Sequence, residues 1–328
     1  VSQNSLVIPE IISKQAVVTT PIIRVDKLVK RYKKAEKNAV DQISLEVPAG
    51  TLFALLGPNG AGKTTAISIL TTTLAATSGT VQIAGYDLAT QAHLVRRKIG
   101  IIFQRPSLDL NLTAEENIRL HVNLYGLYPY RPAFRWMPRA YRTQVQEMAA
   151  LLEIEESLFK PVKTFSGGMK RKLEIVRSLL HRPEVLFLDE PTTGLDPASR
   201  RSLWDHLRRV RAESGTTVFL TTHYLEEAEG ADQVCIMNHG RIISAGTPQQ
   251  IKADLAPSTL TINAEDRDRL RAELQRLGQP FKDGPQFALD IENEQVHQLL
   301  QQIQTPLNLV QTSALSLEDA YLRIIQQD

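Results

Sequence analysis

The residues best placed for chemistry lie in one run, GPNGAGKTT, made of Gly57, Pro58, Asn59, Gly60, Ala61, Gly62, Lys63, Thr64 and Thr65. It fits G-x-x-x-x-G-K-[ST] without a mismatch, the pattern of a loop that cradles a nucleotide triphosphate. Gly57, Gly60 and Gly62 lack side chains, so successive backbone N–H groups can face one concavity around phosphate oxygens. Lys63 brings a point charge for the β- and γ-phosphates, and Thr64 a hydroxyl for Mg²⁺. The bland alternative is a glycine-rich turn that happens to precede a lysine, and the flanks speak against it. LFALL reads as a buried strand, and TTAISILTTTL carries helical apolar spacing that aims a positive helix end at the same anion.

Three further apolar runs end in polar residues, as this strand ends in the loop: KIGIIFQ in Gln104, VLFLDE in Asp189 and Glu190, and TTVFLTTH in His223. In open α/β sheets ligands lie beyond the carboxyl ends of the strands, so these side chains can share one site. IIRVDKLVKRY, AVDQISLEV and TVQIAGYDL alternate apolar and polar residues and predict an antiparallel layer beside the nucleotide. Tyr32, between the first two, can stack its ring on a purine base or simply pack at a strand end.

Between Arg105 and about Arg182 the pattern turns helical. LTAEENIRLHVNLYGL has Thr113 as a cap and Glu116 three positions on, the mark of a capping box. YPYRPAFRWMPRAY concentrates aromatics, prolines and arginines, which suits either an ordered loop packing on itself or a docking surface. In FSGGMKRKLEIVRSLLHRP, Ser166 reads as an N-cap and Met169, Leu173, Val176 and Leu180 share a face, leaving Lys170, Arg171 and Lys172 toward solvent. Gly167 and Gly168 each cost helix propensity of about 1 kcal/mol relative to alanine. Close approach of backbone amides to a second anion would explain them.

QVCIMNHGRIISAG predicts a hairpin turning at Asn238 and Gly240, with the single cysteine, Cys235, buried in its apolar strand. A short helix from Pro248 precedes a boundary near Ala256, after which strands and helices alternate in a small α/β or α+β module, residues 256–328. Residues 1–20 have no clear period and read as a mobile extension. A chain of 328 residues is long enough for one large domain, 21–255, beside that small one. Its 42% hydrophobic and 23% charged residues are those of an ordinary globular protein, and a formal net charge of +2 is too small to argue for nucleic acid. No apolar run approaches the roughly 18 residues of a membrane span, and no charged-then-apolar leader opens the sequence. The expectation is a protein that stays on the cytoplasmic side.

With these segments placed, residues from about 22 to 252 closely resemble the ATP-binding subunits of ABC transporters. GPNGAGKTT resembles their Walker A motif, Gln104 their Q-loop, FSGGM their signature, VLFLDE their Walker B motif, GLDP their D-loop and His223 their switch histidine, all in family order. FQRPSLDLNLTAEENIRL and TTHYLEEAE are similar to the daunorubicin-resistance type of bacterial exporter, whose C-terminal module ends in a helix like SLEDAYL. Met169 departs from the glutamine that the broad superfamily prefers, and the stretch 128–138 is longer than the family's usual connection.

The resemblance implies an α/β fold: a P-loop ABC-type nucleotide-binding domain with an antiparallel β layer and a helical subdomain at about 105–182. It implies a motor in which two subunits, most simply two copies of this chain, sandwich two ATP molecules head to tail. Each site would use the Walker motifs of one copy and Ser166, Gly167 and Gly168 of the other. Asp189 would steady Mg²⁺ with Thr64 and Gln104 nearby, Glu190 would polarise the attacking water, His223 would reach the γ-phosphate and Tyr32 would stack on the adenine. The implied partner is a membrane-spanning permease subunit on a separate chain, with the motor peripheral at the cytoplasmic membrane face. A soluble ATPase of this type acting on ribosomes or nucleic acid would carry two nucleotide domains in one chain or a long coiled coil. Neither pattern is in the sequence, so no nucleic-acid partner is expected.

Overall fold

The computed structural model describes residues 20–104, 106–255, 258–291, 293–313, 318 and 321. The expected N-terminal extension lies outside the described residues apart from Thr20, and the SLEDAYL helix apart from Glu318 and Tyr321. The chain begins with β1 (Ile23–Lys30), β2 (Val40–Val47) and β3 (Leu52–Leu56), turns through the phosphate loop into α1 (Lys63–Leu70), and returns as β4 (Ser78–Ile83) and β5 (Tyr86–Asp87). Then follow α2 (Ala92–Lys98), β6 (Ile99–Ile102), α3 (Ala114–Leu124), α4 (Arg139–Leu151) and α5 (Gly167–Leu179). The domain closes with β7 (Val185–Asp189), α6 (Pro197–Ser214), β8 (Thr217–Thr222), α7 (Leu225–Glu229), β9 (Gln233–Asn238), β10 (Arg241–Gly246) and α8 (Pro248–Leu255).

Two sheets result. The expected antiparallel layer has the order β2-β1-β4-β5, with Ile23 opposite both Val47 and Ile83. The second sheet runs β10-β9-β3-β8-β7-β6, and its strands from β9 to β6 are parallel. Every residue of β3, β7 and β8 is buried, as strands covered on both faces must be. Alternation along β3 divides the core: Leu52, Ala54 and Leu56 face the helical side, while Phe53 and Leu55 face the antiparallel layer, where Phe53 stacks on Phe219 at 4.9 Å. The expected hairpin exists as β9 and β10, and β9 also joins the main sheet beside β3.

In the helical region the capping box forms as expected: Glu116 N donates to Thr113 Oγ1 at 3.2 Å and Thr113 N to Glu116 Oε2 at 2.8 Å. The two readings of the aromatic stretch 128–138 are both true of parts of it. Tyr128 and Phe134 set their rings edge-on against the buried ring of Tyr141, whereas Tyr130 is 50% and Trp136 55% exposed. One expectation fails. Arg171, expected in solvent beside Lys170 and Lys172, is 4% exposed, paired with Glu174 and bonded to loop carbonyls, and the Lys172 side chain is also largely covered, 3.3 Å from Glu153. A buried guanidinium needs such partners, and they come from segments distant in sequence that helical periodicity does not register.

The C-terminal module has the order β11 (Ser258–Ala264), α9 (Arg267–Arg276), β12 (Lys282–Asp283), β13 (Phe287–Ile291), α10 (Asn293–Gln302), β14 (Leu307–Ser313). All its strand pairs are antiparallel, in the arrangement β12-β13-β11-β14, so it is α+β, with the β-α-β-β-α-β order of the ferredoxin-like motif. It has its own core, built on Leu260, Ile262, Leu270, Phe287 and Leu289. Among the described residues no helix is long and apolar enough to cross a membrane.

Helix α5 and strand β6 meet at Gly100, where an added Cβ would lie 2.8 Å from the Ser178 carbonyl oxygen and 3.0 Å from Leu186 Cδ1. Gly100→Ala should therefore force α5 off the sheet edge and lower stability by about 1–3 kcal/mol, read by urea unfolding. A midpoint equal to that of the unsubstituted protein would show that the helix is free to shift.

Candidate functional site

The phosphate loop joins the end of β3 to the start of α1, and Gly62 holds φ 107 at the helix entry. A Cβ on Gly57 would strike the Met237 carbonyl oxygen, and one on Gly62 that of Ala39. Those two glycines thus answer to packing as well as to a ligand, while Gly60 faces open space. Lys63 is buried inside the loop, its Nζ donating to Gly57 O at 2.7 Å and Pro58 O at 3.1 Å. Burial pushes its pKa down, opposed by the charges of Glu190 and Asp189. Tyr32 is brought to the first turn of α1: its hydroxyl is 3.3 Å from Thr65 Oγ1 and its ring is 45% exposed.

The strand ends converge as the sequence requires. Asp189, the last residue of β7, accepts from Thr221 Oγ1 at 2.6 Å and from Thr64 Oγ1 at 3.5 Å. Burial pushes its carboxyl up, the Thr221 hydroxyl and Lys63 work the other way, and the neighbouring Glu190 charge adds to the rise. Glu190 stands at φ 45, a conformation costly for a residue with a side chain. Its Oε2 accepts from Gln104 Nε2 at 3.1 Å and Thr193 Oγ1 at 3.3 Å, and its Oε1 lies 3.4 Å from His223 Nδ1 and 3.7 Å from Lys63 Nζ. Gln104, Asp189, Glu190, His223, Lys63 and Thr64 therefore form one cluster at the mouth of the parallel sheet. Among the described residues no group of three or more His, Cys, Asp or Glu could hold a metal. One carboxylate and a hydroxyl beside a triphosphate loop suit Mg²⁺, which takes few protein ligands and completes its shell with substrate phosphates and water.

Ser166 caps α5, accepting from Met169 N at 3.2 Å. The glycine pair behind it divides by cause. A Cβ on Gly168 would lie 2.8 Å from Ser199 Oγ and 3.1 Å from Ser199 Cβ, so α6 packs closely against this residue. Gly167 would meet only Leu195 Cδ2 at 3.6 Å, an ordinary contact, so packing within the chain does not require a glycine there. Among the described residues no hydrogen bond or ion pair joins Ser166, Gly167 or Gly168 to the phosphate loop of the same chain.

Sequence reasoning missed two residues that hold the cluster, Arg171 and Glu227. Glu227 is buried, accepts from Thr192 Oγ1 and, at 2.6 Å, from Thr222 Oγ1, and burial pushes its carboxyl up. It ties the loop beyond Glu190 to the strand end that presents His223. In TTHYLEEAE it is one of three glutamates with nothing to single it out.

Comparison with known proteins agrees with this geometry. A family model described as ABC transporter matches residues 40–193. The daunorubicin/doxorubicin resistance ATP-binding protein DrrA of Streptomyces peucetius is 40% identical over 259 residues, which span 79% of this chain and 74% of that protein. The Nod factor export ATP-binding protein I of Ralstonia nicotianae is 38% identical over 80% of this chain and 78% of its own length. Its counterpart in Paraburkholderia xenovorans is 35% identical over 92% and 96%, a match that takes in most of the C-terminal module. Among solved structures, an ATP-binding subunit of an ABC transporter matches with a TM-score of 0.61 at 31% identity over 71% of this chain and 92% of that one. A dimeric, post-hydrolysis ATP-binding cassette bound to ADP and Pi matches with a TM-score of 0.60 at 26% identity over 69% and 98%.

Glu227→Ala should leave the hydroxyls of Thr192 and Thr222 buried without their acceptor, at a cost of about 2–3 kcal/mol. Chemical unfolding of the two proteins side by side checks this. A loss of under about 0.5 kcal/mol would mean that the carboxylate is not what holds the two segments together.

Proposed function

The chain belongs to the ABC transporter family of ATP-binding, ATP-hydrolysing subunits, and from that membership we propose that it is the motor of an exporter, in which ATP-driven closure of two copies moves a separate membrane-spanning subunit. The observation that carries the catalytic part is Glu190, held at φ 45 with Gln104, His223 and Lys63 around its carboxylate. The triphosphate of ATP lies in the loop of residues 57–65, against its N–H groups and Lys63, and the adenine stacks on the exposed ring of Tyr32. Thr64 and Asp189, with Gln104, would hold Mg²⁺, which when bound would neutralise phosphate charge. Glu190 polarises the attacking water and His223 reaches the γ-phosphate. Ser166 and Gly167 of a second copy, with Gly168 behind them, close the other side of the site. Positioning and charge stabilisation then supply most of the catalysis, as phosphoryl transfer requires.

The direction of transport rests on the relatives, which are named for drug resistance and for Nod factor export. Their cargoes differ while their similarity to this chain is nearly equal, which supports a shared motor whose membrane partner selects the cargo. The absence of a membrane-crossing helix among the described residues fits a peripheral place at the cytoplasmic membrane face. The surface that grips the partner includes residues 128–138, where Tyr130 and Trp136 stand exposed beside arginines, a composition typical of interface anchors.

Glu190→Gln keeps the shape and the Gln104 contact but removes the basic oxygen, so ATP should bind and turn over very slowly. The expected species is an ATP-dependent dimer, seen as a doubling of mass in solution, which Ser166→Arg abolishes by blocking the second copy's γ-phosphate. Full ATPase activity in a strictly monomeric Glu190→Gln sample would overturn the catalytic assignment and the shared site together. For the docking surface, Trp136→Ala should weaken coupled transport and leave basal ATPase nearly intact. A parallel fall in basal ATPase and thermal stability would instead make the tryptophan a packing residue.

A further inference from the structure

Helix α5 lies along the edge of the main sheet at β6, beyond which, among the described residues, no further strand pairs. Side chains from α5 and the residues just after it supply the missing partners. Ile99 O lies 2.8 Å from His181 Nε2, Ile101 O accepts from Ser178 Oγ at 3.1 Å, and Phe103 O accepts from Arg171 Nη1 at 2.6 Å. Alternate carbonyls of an edge strand point outward, so one helix takes the place of the next strand.

The grip continues past the strand into the segment that presents Gln104. Arg171 Nη2 donates to Gln104 O at 3.2 Å, Ser107 N donates to Glu174 Oε1 at 3.0 Å, and Arg177 donates to Ser107 O at 2.7 Å and Ser107 Oγ at 2.5 Å. The remaining arm of Arg171, Nε, donates to Pro191 O at 2.9 Å, one residue beyond Glu190. Arg171 and Glu174 are both buried and bonded to each other at 2.9 Å. A buried ion pair is weak evidence for stability, because well-packed apolar residues serve as well. What apolar residues cannot do is hold three carbonyls from two loops at fixed angles, which the planar guanidinium fork does.

We propose that Arg171 is a positioning residue for hydrolysis: one guanidinium fixes the backbone at Gln104 and beside Glu190 to helix α5, so that both side chains take their places from that helix. The inference rests on the roles of Gln104 and Glu190 given above.

The test measures kcat and KM for ATP on the full chain carrying Arg171→Lys, Arg171→Met with Glu174→Met, Gln104→Ala, and Arg171→Lys with Gln104→Ala. Binding of a fluorescent ATP analogue and thermal unfolding are read on each. We expect kcat to fall about tenfold or more in the lysine variant and in the methionine pair, with KM and analogue affinity within about twofold. Adding Arg171→Lys to Gln104→Ala should lower kcat by less than the product of the two single losses, since the part of the Arg171 effect that acts through Gln104 is already gone and only the part beside Glu190 remains. The methionine pair leaves no charge stranded, which separates positioning from folding. Unchanged kcat in both Arg171 variants, a loss that multiplies with that of Gln104→Ala, or a loss matched by equal loss of analogue binding overturns the proposal. If Gln104→Ala and Glu190→Gln themselves turn over at the unsubstituted rate, the underlying reading fails instead.

Discussion

The constraint on which the site depends is the backbone at Glu190. Successive residues of a strand point to opposite faces, so Asp189 and Glu190 could not both look toward the phosphate loop from regular β structure. The positive φ at Glu190 breaks the alternation: Asp189 reaches Thr64, and Glu190 reaches Lys63, Gln104 and His223. Such a conformation costs of order 1 kcal/mol or more and persists only where its surroundings over-determine it. They do so here, with Glu190 N donating to both Thr221 O and Thr221 Oγ1 at 3.1 Å. Burial then sets the charges against one another, raising the pKa of Asp189 and lowering that of Lys63, while each holds the other in its charged form. The charges are coupled, because removing Lys63 would leave two buried carboxylates without the nearby cation that offsets them.

Holding that set needs walls that do not move independently, and the sheet supplies them. Lys63 follows β3 through the phosphate loop, and Asp189 and His223 stand at the ends of β7 and β8; the three strands are adjacent and parallel, with their spacing fixed by the ladder hydrogen bonds. Gln104 lies just past β6, an edge strand with one such neighbour. Helix α5 makes up the difference by bonding to the outer carbonyls of that edge and by lying against Gly100. Glu227 does the same for the loop after Glu190, tying it to Thr222 at the end of β8. The two side chains that single-sequence reasoning overlooked are thus the two that convert a row of strand ends into a rigid cradle.

That oversight has a physical cause. Loop glycines, strand ends, the Thr113 cap and the Ser166 cap are local signals, since their partners lie within a few residues or follow from strand alternation, and each was legible in the sequence. The partners of Arg171 sit near residues 103 and 191, so nothing in the helix around it marks it as buried. Gly168 shows the same limit from the other side. Its neighbour Ser199 belongs to α6, a contact that the sequence around the glycine does not register. In the C-terminal module, apolar periodicity located β11, β13, β14 and two of the helices, missed the two-residue β12 and left α/β and α+β open. Periodicity reports which face is buried and carries no record of whether the chain returns parallel or antiparallel.

The module itself shows how a small unit closes its core. Its buried set is built on a few aliphatic side chains and Phe287, whose exposed side would be a weak point in a domain of this size. Two arginines of α9 cover it: Arg267 lies 4.8 Å and Arg271 5.7 Å from the ring centroid. Both also bond to Asp283 of β12, at 3.1 and 2.8 Å, so the two-residue edge strand is pinned by the side chains that cap the ring. At the opposite end Glu273 accepts from Gln304 N, Thr305 N and Thr305 Oγ1, which anchors the turn into β14 to the same helix. One helix therefore seals the core with its cations and sets the entry of the last strand with its carboxylate. Tyr321, beyond that strand, packs against the helical-side core of the ATPase domain, the same core that α5 helps to build.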